Sequence, residues 1–250
     1  ADCLKPDYQH CLIALSRGGS DADETREFNL NTKQWIKNGF YRPESKGAMS
    51  WKNSNEVYVY SDFGEGSMTS SGYPRIAKLW QRGIPLAQAK IIYEGSNDDM
   101  YIAAFHDDSK GFERDFVSRT IAFYNDELLL IKPDGKLVKI EAPNSAQKNV
   151  HNQYLLLELR EELNVNGNTY SAGSLLATDF EKYMRGERDF TVLFAPSITT
   201  SLAGYSWTQN YLLLNVLDDV KNKIRVLDPS NKWQSTKLIG APSIGTLSIT

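Results

Sequence analysis

At 250 residues the chain has room for one large all-β domain or two smaller ones. Its hydrophobic share of 41% and charged share of 24% are those of an ordinary globular protein. A net charge of −3 without any Lys/Arg block argues against nucleic acid or an anionic membrane as the main partner, and no apolar run is long enough for a helical membrane span.

In chain order, the β-type runs fall into groups punctuated by Gly, Asn, Asp and Pro. The first group is Cys11–Ser16, Arg26–Leu30 and Gln34–Lys37, with Asn31-Thr32-Lys33 as a turn and Pro43 breaking the run that follows. The second is Ala48–Trp51, Glu56–Tyr60, Arg75–Gln81 and Lys90–Tyr93. The third is Met100–Phe105, Phe116–Phe123, Glu127–Ile131 and Lys136–Glu141, with Pro133-Asp134-Gly135 as a turn. His151–Leu159, Ser174–Thr178 and Thr191–Phe194 come next, then Ala203–Trp207, Tyr211–Val216, Lys223–Leu227 and Gln234–Ile239. A lone run, Gly245–Thr250, ends the chain. One helix is expected, at Phe180–Arg185, with Asp179 as N-cap and Gly186 closing it.

An aromatic residue, a polar turn and a dense apolar strand recur as Trp51 before Val57–Val59, Phe123 before Leu128–Leu130, and Trp207 before Leu212–Leu214. Four strands every ~40–55 residues is the spacing of propeller blades. The fold expected is therefore an all-β propeller of about five four-stranded blades, forming one domain over residues 1–250; a β-sandwich is the rival. In the propeller reading the three aromatics are core residues between blades. The orphan run Gly245–Thr250 would then either close a small ring by completing the first blade or leave an open arc.

Cys3 and Cys11 cannot staple a fold of this size. Cys11 sits in an apolar run and reads as a buried small hydrophobe; a Cys3–Cys11 disulfide is the alternative, although nothing in the sequence demands it. Ala1-Asp2-Cys3-Leu4-Lys5-Pro6 shows no signal-peptide pattern, which leaves the compartment open between cytoplasm and periplasm.

Catalytic and cofactor signals are sparse. A serine hydrolase of the α/β type needs Gly-x-Ser-x-Gly, and the nearest approach, Gly18-Gly19-Ser20-Asp21-Ala22, fails at its last position. His10, His106 and His151 lie in no metal-ligand spacing, and no phosphate-binding or dinucleotide motif occurs, so neither metal nor cofactor is expected. Asp62, Asp115, Asp179, Asp218 and Asp219 fall at strand ends, where turn and cap roles compete with a glycosidase carboxylate pair.

The stretch Asp62-Phe63-Gly64-Glu65-Gly66-Ser67-Met68-Thr69-Ser70-Ser71-Gly72-Tyr73-Pro74-Arg75, followed by Lys78-Leu79-Trp80-Gln81-Arg82-Gly83-Ile84-Pro85-Leu86, is a loop too long for a tight hairpin. It resembles the propeller domain of prolyl-oligopeptidase-family serine peptidases. Cys11–Gly19, Arg26–Leu30, Gly111–Arg119, Ser201–Thr208 and Tyr211–Val220 are similar to strands of the same family, so the likeness covers essentially the whole chain. The resemblance implies a seven-bladed propeller capping an α/β-hydrolase domain and limiting access to peptides. This chain departs from it in lacking the hydrolase domain and holding about five blades. The resemblance thus implies a non-catalytic gating portion with no catalytic residue of its own, partnered by the hydrolase domain of the same protein and by peptide substrate. It also implies that the 62–73 loop faces the hydrolase domain, with Asp62, Phe63, Ser67, Tyr73 and Arg75 as candidate gating or interdomain residues; the alternative is a disordered surface loop. With little apolar area to anchor it, the loop is expected to be the most mobile internal segment. A free-standing glycan-binding propeller or glycosidase is the competing function.

Overall fold

The computed structural model describes residues 1–219, 221–240 and 248–249. The chain divides into two compact units, Ala1–Asn144 and Ser145–Thr250. Both consist of antiparallel sheets in which consecutive strands lie side by side, the up-and-down pattern expected of propeller blades.

The first unit holds three sheets. In the first, β1 (Asp2–Cys3), β2 (His10–Ser16), β3 (Asp23–Asn29) and β4 (Gln34–Trp35) follow in order, and β5 (Tyr41–Ser45) also pairs with β3. In the second, β6 (Ala48–Asn53), β7 (Glu56–Tyr60), β8 (Ile76–Gln81) and β9 (Lys90–Glu94) run side by side. The third repeats the pattern with β10 (Tyr101–Asp107), β11 (Arg114–Ala122), β12 (Asn125–Ile131) and β13 (Leu137–Lys139).

The second unit holds the sheet of β14 (Gln147–His151), β15 (Tyr154–Glu158), β18 (Leu175–Asp179) and β19 (Thr191–Phe194), from which the hairpin β16 (Leu163–Val165) and β17 (Asn168–Tyr170) projects. Its other sheet is β20 (Thr200–Trp207), β21 (Leu212–Asp218), β22 (Lys221–Asp228) and β23 (Gln234–Lys237). The helix α1 spans Phe180–Met184, and the Asp179 side chain accepts from the Lys182 N–H as its N-cap. It is more than a connection, because Phe180 and Tyr183 are both buried. The inner strand β15 buries Leu155, Leu156 and Leu157 in succession, as a strand covered on both faces requires. Each such leucine contributes about 1.5–3 kcal/mol.

Several expectations need correction. The run expected at His151–Leu159 is β15, which begins only at Tyr154: His151 ends β14, a strand not expected from the sequence, and Asn152 at positive φ turns β14 into β15. Pro43 does not end the β structure: it lies within β5, which among the described residues pairs only with β3, so its missing N–H costs no ladder bond there. The aromatic repeat slips by one strand in the third sheet. β7 and β21 are second strands, whereas the apolar run Leu128–Leu130 lies in β12, a third strand. Phe123 accordingly sits in the turn between β11 and β12 at 81% exposure and is no core residue, while Trp51 is buried. Cys11 is buried as expected, but as half of a disulfide: β1 sets Cys3 opposite Cys11 on β2, and the two are bonded. The run Gly245–Thr250, and with it the question of ring closure, lies outside the described residues apart from Ser248 and Ile249.

One buried carboxylate joins the first two sheets. At Glu27 the outer edge of β3 passes from β4 to β5: the Glu27 N–H donates to the Phe40 carbonyl at 3.0 Å, and its carbonyl accepts from the Ile36 N–H at 3.0 Å. The Glu27 side chain is fully buried and receives Arg82 in a bidentate pair at 2.8 and 3.0 Å, the Phe40 N–H at 3.0 Å and His10 Nδ1 at 2.9 Å. Burial alone would raise its pKa; Arg82, His10 and the Phe40 amide together outweigh burial and hold it below the ordinary value. Glu27→Gln is therefore expected to destabilise the first unit by about 3 kcal/mol in urea unfolding at neutral pH. A depressed carboxylate stabilises above its unfolded pKa, and that contribution fades as pH falls from the unfolded value of 4.5 through the lower folded one. The gap between wild type and variant should close over that acid range.

Candidate functional site

The 61–75 loop is built almost wholly from polar contacts. Ser61, Ser67 and Thr69 are buried, whereas Asp62, Glu65, Ser70 and Ser71 face solvent. Asp62 Oδ1 accepts from the Gly64 N–H at 2.8 Å and lies 3.2 Å from the Ser67 hydroxyl. That hydroxyl accepts from the Phe63 N–H at 2.8 Å and sits 2.6 Å from the Gly64 carbonyl. The backbone doubles on itself as the Thr69 N–H reaches the Tyr73 carbonyl at 2.8 Å and the Arg75 N–H reaches the Ser67 carbonyl at 3.0 Å. Phe63 packs against the apolar cluster of the first two sheets, with the buried Lys78 ammonium 4.0 Å from its ring centroid.

Arg75 locks this arrangement. Its Nε and Nη2 donate to the Gly66 carbonyl at 2.9 and 2.5 Å, Nη1 donates to the Gly95 carbonyl at 2.8 Å, and Nη2 pairs with Glu94 at 2.9 Å. The sequence offers the loop little apolar area to anchor it; what anchors it is largely hydrogen bonds, which a count of apolar residues overlooks. Arg75 also differs from a waiting recognition cation, because its guanidinium is engaged within the loop and its base.

Tyr73 stands at the loop's end among other aromatics. Its ring lies 5.9 Å edge-on from Tyr101, which in turn lies 5.7 Å from Tyr60, and the Lys46 ammonium is 4.2 Å from the Tyr73 centroid. Behind them Arg42 is 0% exposed and bonds to Asp23, Thr25 and Ser45. Burial pushes the Tyr60 hydroxyl up to about 12 and the Tyr101 hydroxyl up as well, with the Arg42 charge acting against both shifts. The structure therefore brings Tyr73 together with Lys46, Tyr60 and Tyr101, none of which was singled out from sequence. Asp62, Phe63, Ser67 and Arg75 join instead in the loop's own scaffold.

A second polar cluster lies at the opposite ends of the strands in the same unit. The β10–β11 register sets His106 directly across from Asp115, and His106 Nδ1 is 2.9 Å from Asp115 Oδ1. Lys52 donates to Asp115 Oδ2 at 2.9 Å. The bond to Asp115 holds His106 above the ordinary histidine value. Burial would raise Asp115, but His106 and Lys52 prevail and lower it. His106 lines a cleft of about 930 Å³ with Trp51, Lys52 and the segment 2–8. Local spacing around the histidines could not reveal this pair, since the partners are nine positions apart across a hairpin.

The remaining strand-end carboxylates occupy separate structural positions. Asp179 caps α1, Asp218 pairs with Lys223, and Asp219 sits at positive φ in a turn. Among the described residues no three His, Cys, Asp or Glu side chains converge as a metal site.

The family model for the prolyl oligopeptidase N-terminal β-propeller domain matches residues 3–250. The chain belongs to that family. Its sheets are propeller blades. It is 32% identical over 259 residues to an uncharacterized peptidase, y4nA, of Sinorhizobium fredii, covering all of this chain and 36% of that protein. An uncharacterized peptidase of Rickettsia prowazekii, RP174, is 27% identical over 249 residues, covering 92% of this chain and 34% of the relative. Among solved structures, a post-proline cleaving enzyme from Rickettsia typhi superposes with a TM-score of 0.86 at 25% identity, covering 95% of this chain and 37% of that one. The chain thus spans about a third of the length of the relatives it matches.

Arg75→Ala is expected to accelerate exchange of the Ser67, Thr69 and Arg75 amides by about tenfold or more, with the β7 amides unchanged. Exchange mass spectrometry checks this. Separately, the His106 contribution to stability should be complete below its unfolded pKa of 6.5 and disappear as pH rises through the higher folded value. His106→Gln should flatten that alkaline slope in urea titrations.

Proposed function

We propose that this chain is a non-catalytic part of a longer serine peptidase of the prolyl oligopeptidase family, one continuous stretch of a larger propeller that restricts peptide access to a hydrolase domain of the same protein. The observation that carries the reading is the family match over 3–250 combined with coverage of 36% of the length of a peptidase relative. The absence of a Gly-x-Ser-x-Gly nucleophile elbow from the sequence supports it. In this reading the 62–73 loop faces the hydrolase domain. Exposed Glu65, with Tyr73 beside Lys46, forms its recognition surface, while Asp62, Ser67 and Arg75 hold its shape. Peptide is the substrate class admitted, and the hydrolase domain supplies the nucleophile.

Two measurements test this. The chain alone, treated with a serine-reactive fluorophosphonate, should show no stoichiometric labelling; modification of one serine would refute the non-catalytic assignment. In the full-length parent protein, shortening the loop between Asp62 and Tyr73 should leave kcat/KM for a short peptide nearly unchanged and increase cleavage of a large, structured substrate. If size selection is unaffected, the loop takes no part in gating.

A further inference from the structure

The segment 2–8 forms a strap from the first sheet to the loop between β10 and β11. Its strand portion, β1, is two residues long and pairs Asp2 with Leu12 and Cys3 with Cys11. Ahead of the turn, the Trp51 indole donates to the Asp2 carbonyl at 3.1 Å, and the Trp51 N–H reaches Asp2 Oδ2 at 3.3 Å. Leu4 packs on the apolar cluster that contains Trp51, and the Leu4 N–H donates to the His10 carbonyl at 2.8 Å. At the far side Lys5 meets Asp108 at 3.0 Å, an ion pair exposed enough to contribute little. The strap and the His106–Lys52 cluster line the same cleft. Among these links the Cys3–Cys11 bond is the covalent one.

We propose that Cys3–Cys11 is a thiol–disulfide exchange site whose reductant is a dithiol, and that reduction releases the Asp2–Tyr8 strap from the cleft bearing Trp51 and His106. Cys3 is half-buried and Cys11 fully buried, so the entering thiolate attacks Cys3 Sγ. A mixed disulfide forms at Cys3, the Sγ–Sγ bond breaks, and Cys11 leaves as a thiolate that takes up a proton. The second thiol of the reductant then attacks its own sulfur in the mixed disulfide and expels Cys3, which is protonated in turn. Two electrons pass to the protein and the dithiol becomes a disulfide. What remains of the strap is then a two-residue strand, two hydrogen bonds to Trp51, the Leu4 N–H bond to the His10 carbonyl, one packed leucine and an exposed ion pair. Reoxidation restores the closed form because Cys3 and Cys11 are neighbours in the β1–β2 register.

The test uses the whole chain, oxidised and then treated with excess dithiothreitol, with thiol titration to count free cysteines. Hydrogen exchange should speed up by about tenfold or more at the Leu4, Tyr8 and Trp51 amides on reduction, with Glu56–Tyr60 and Asn125–Ile131 unchanged. Trp51 fluorescence, isolated by replacing the other tryptophans with phenylalanine, should shift to the red, and removal of reductant should reverse both changes. Cys11→Ser should show the released pattern without reductant, and Lys5→Ala should leave the oxidised strap closed. Two free thiols in the untreated protein would overturn the proposal. So would unchanged exchange after complete reduction, or loss of protection throughout residues 1–144, which would mark the bond as a staple of the whole unit.

Discussion

A carboxylate sealed from water between two sheets constrains most of the first unit. Glu27 has no water to fall back on, so its oxygens must keep Arg82, His10 and the Phe40 amide as partners. Each partner carries a further constraint. Arg82 also donates to the Ser54 carbonyl at 3.0 and 2.8 Å and lies 4.5 Å from the Phe40 ring centroid. Phe40 packs edge-on against Trp51 and Trp80, the aromatic centre of the core between the first two sheets. Gly39 is required by the same crowding, because a Cβ there would stand 2.8 Å from Glu27 Oε2. Moving Glu27 would therefore disturb the edge of β3, the turn after β8 and the aromatic core together.

The same device recurs at the other junction of this unit. Asp99 is buried and receives Arg119 through Nε at 3.0 Å and Nη2 at 2.9 Å, while Arg119 Nη1 and Lys139 share Glu127 at 3.2 and 2.7 Å. Fork-shaped guanidinium contacts fix direction as well as distance, which apolar packing does not. Sheets with interchangeable leucine- and valine-rich faces could pack in several registers. Buried forks at Glu27 and Asp99 select one, while Arg42 braces β5 against β3 within the first sheet. Breaking either fork leaves a buried charge without its partner, so the two contribute more to the choice of arrangement than to its net stability.

Much of the fold was legible in the sequence because the inner strands are dense apolar runs: Glu56–Tyr60, the Leu155–Leu157 run and Leu212–Leu214 announce themselves. The outer strands were less legible. Gln147–His151 is polar because an outer strand faces water, and β5 was hidden by Pro43, harmless on an edge. The hairpin β16–β17 had a readable signal that went unused, the Asn166-Gly167 pair, both at positive φ, between two short alternating runs. At the candidate site, sequence located the loop but not the hydrogen bonds that order it. Residue types reveal that Ser67 and Arg75 can form hydrogen bonds, not that they find carbonyls to bond. The His106–Asp115 pair and the Cys3–Cys11 bond depend on strand register, which no local spacing encodes.

The Arg75 clamp holds the loop through the main-chain carbonyls of Gly66 and Gly95 and reads no side chain at either place. Shape and surface chemistry are thereby uncoupled. Glu65 and Ser70 project from a frame that does not depend on what they are, so mutation can sample new charges and hydrogen-bonding groups there without refolding the loop. Natural variants of this protein would then diverge fastest in what the loop presents and slowest in how it is held, as a printing frame outlasts the type set in it.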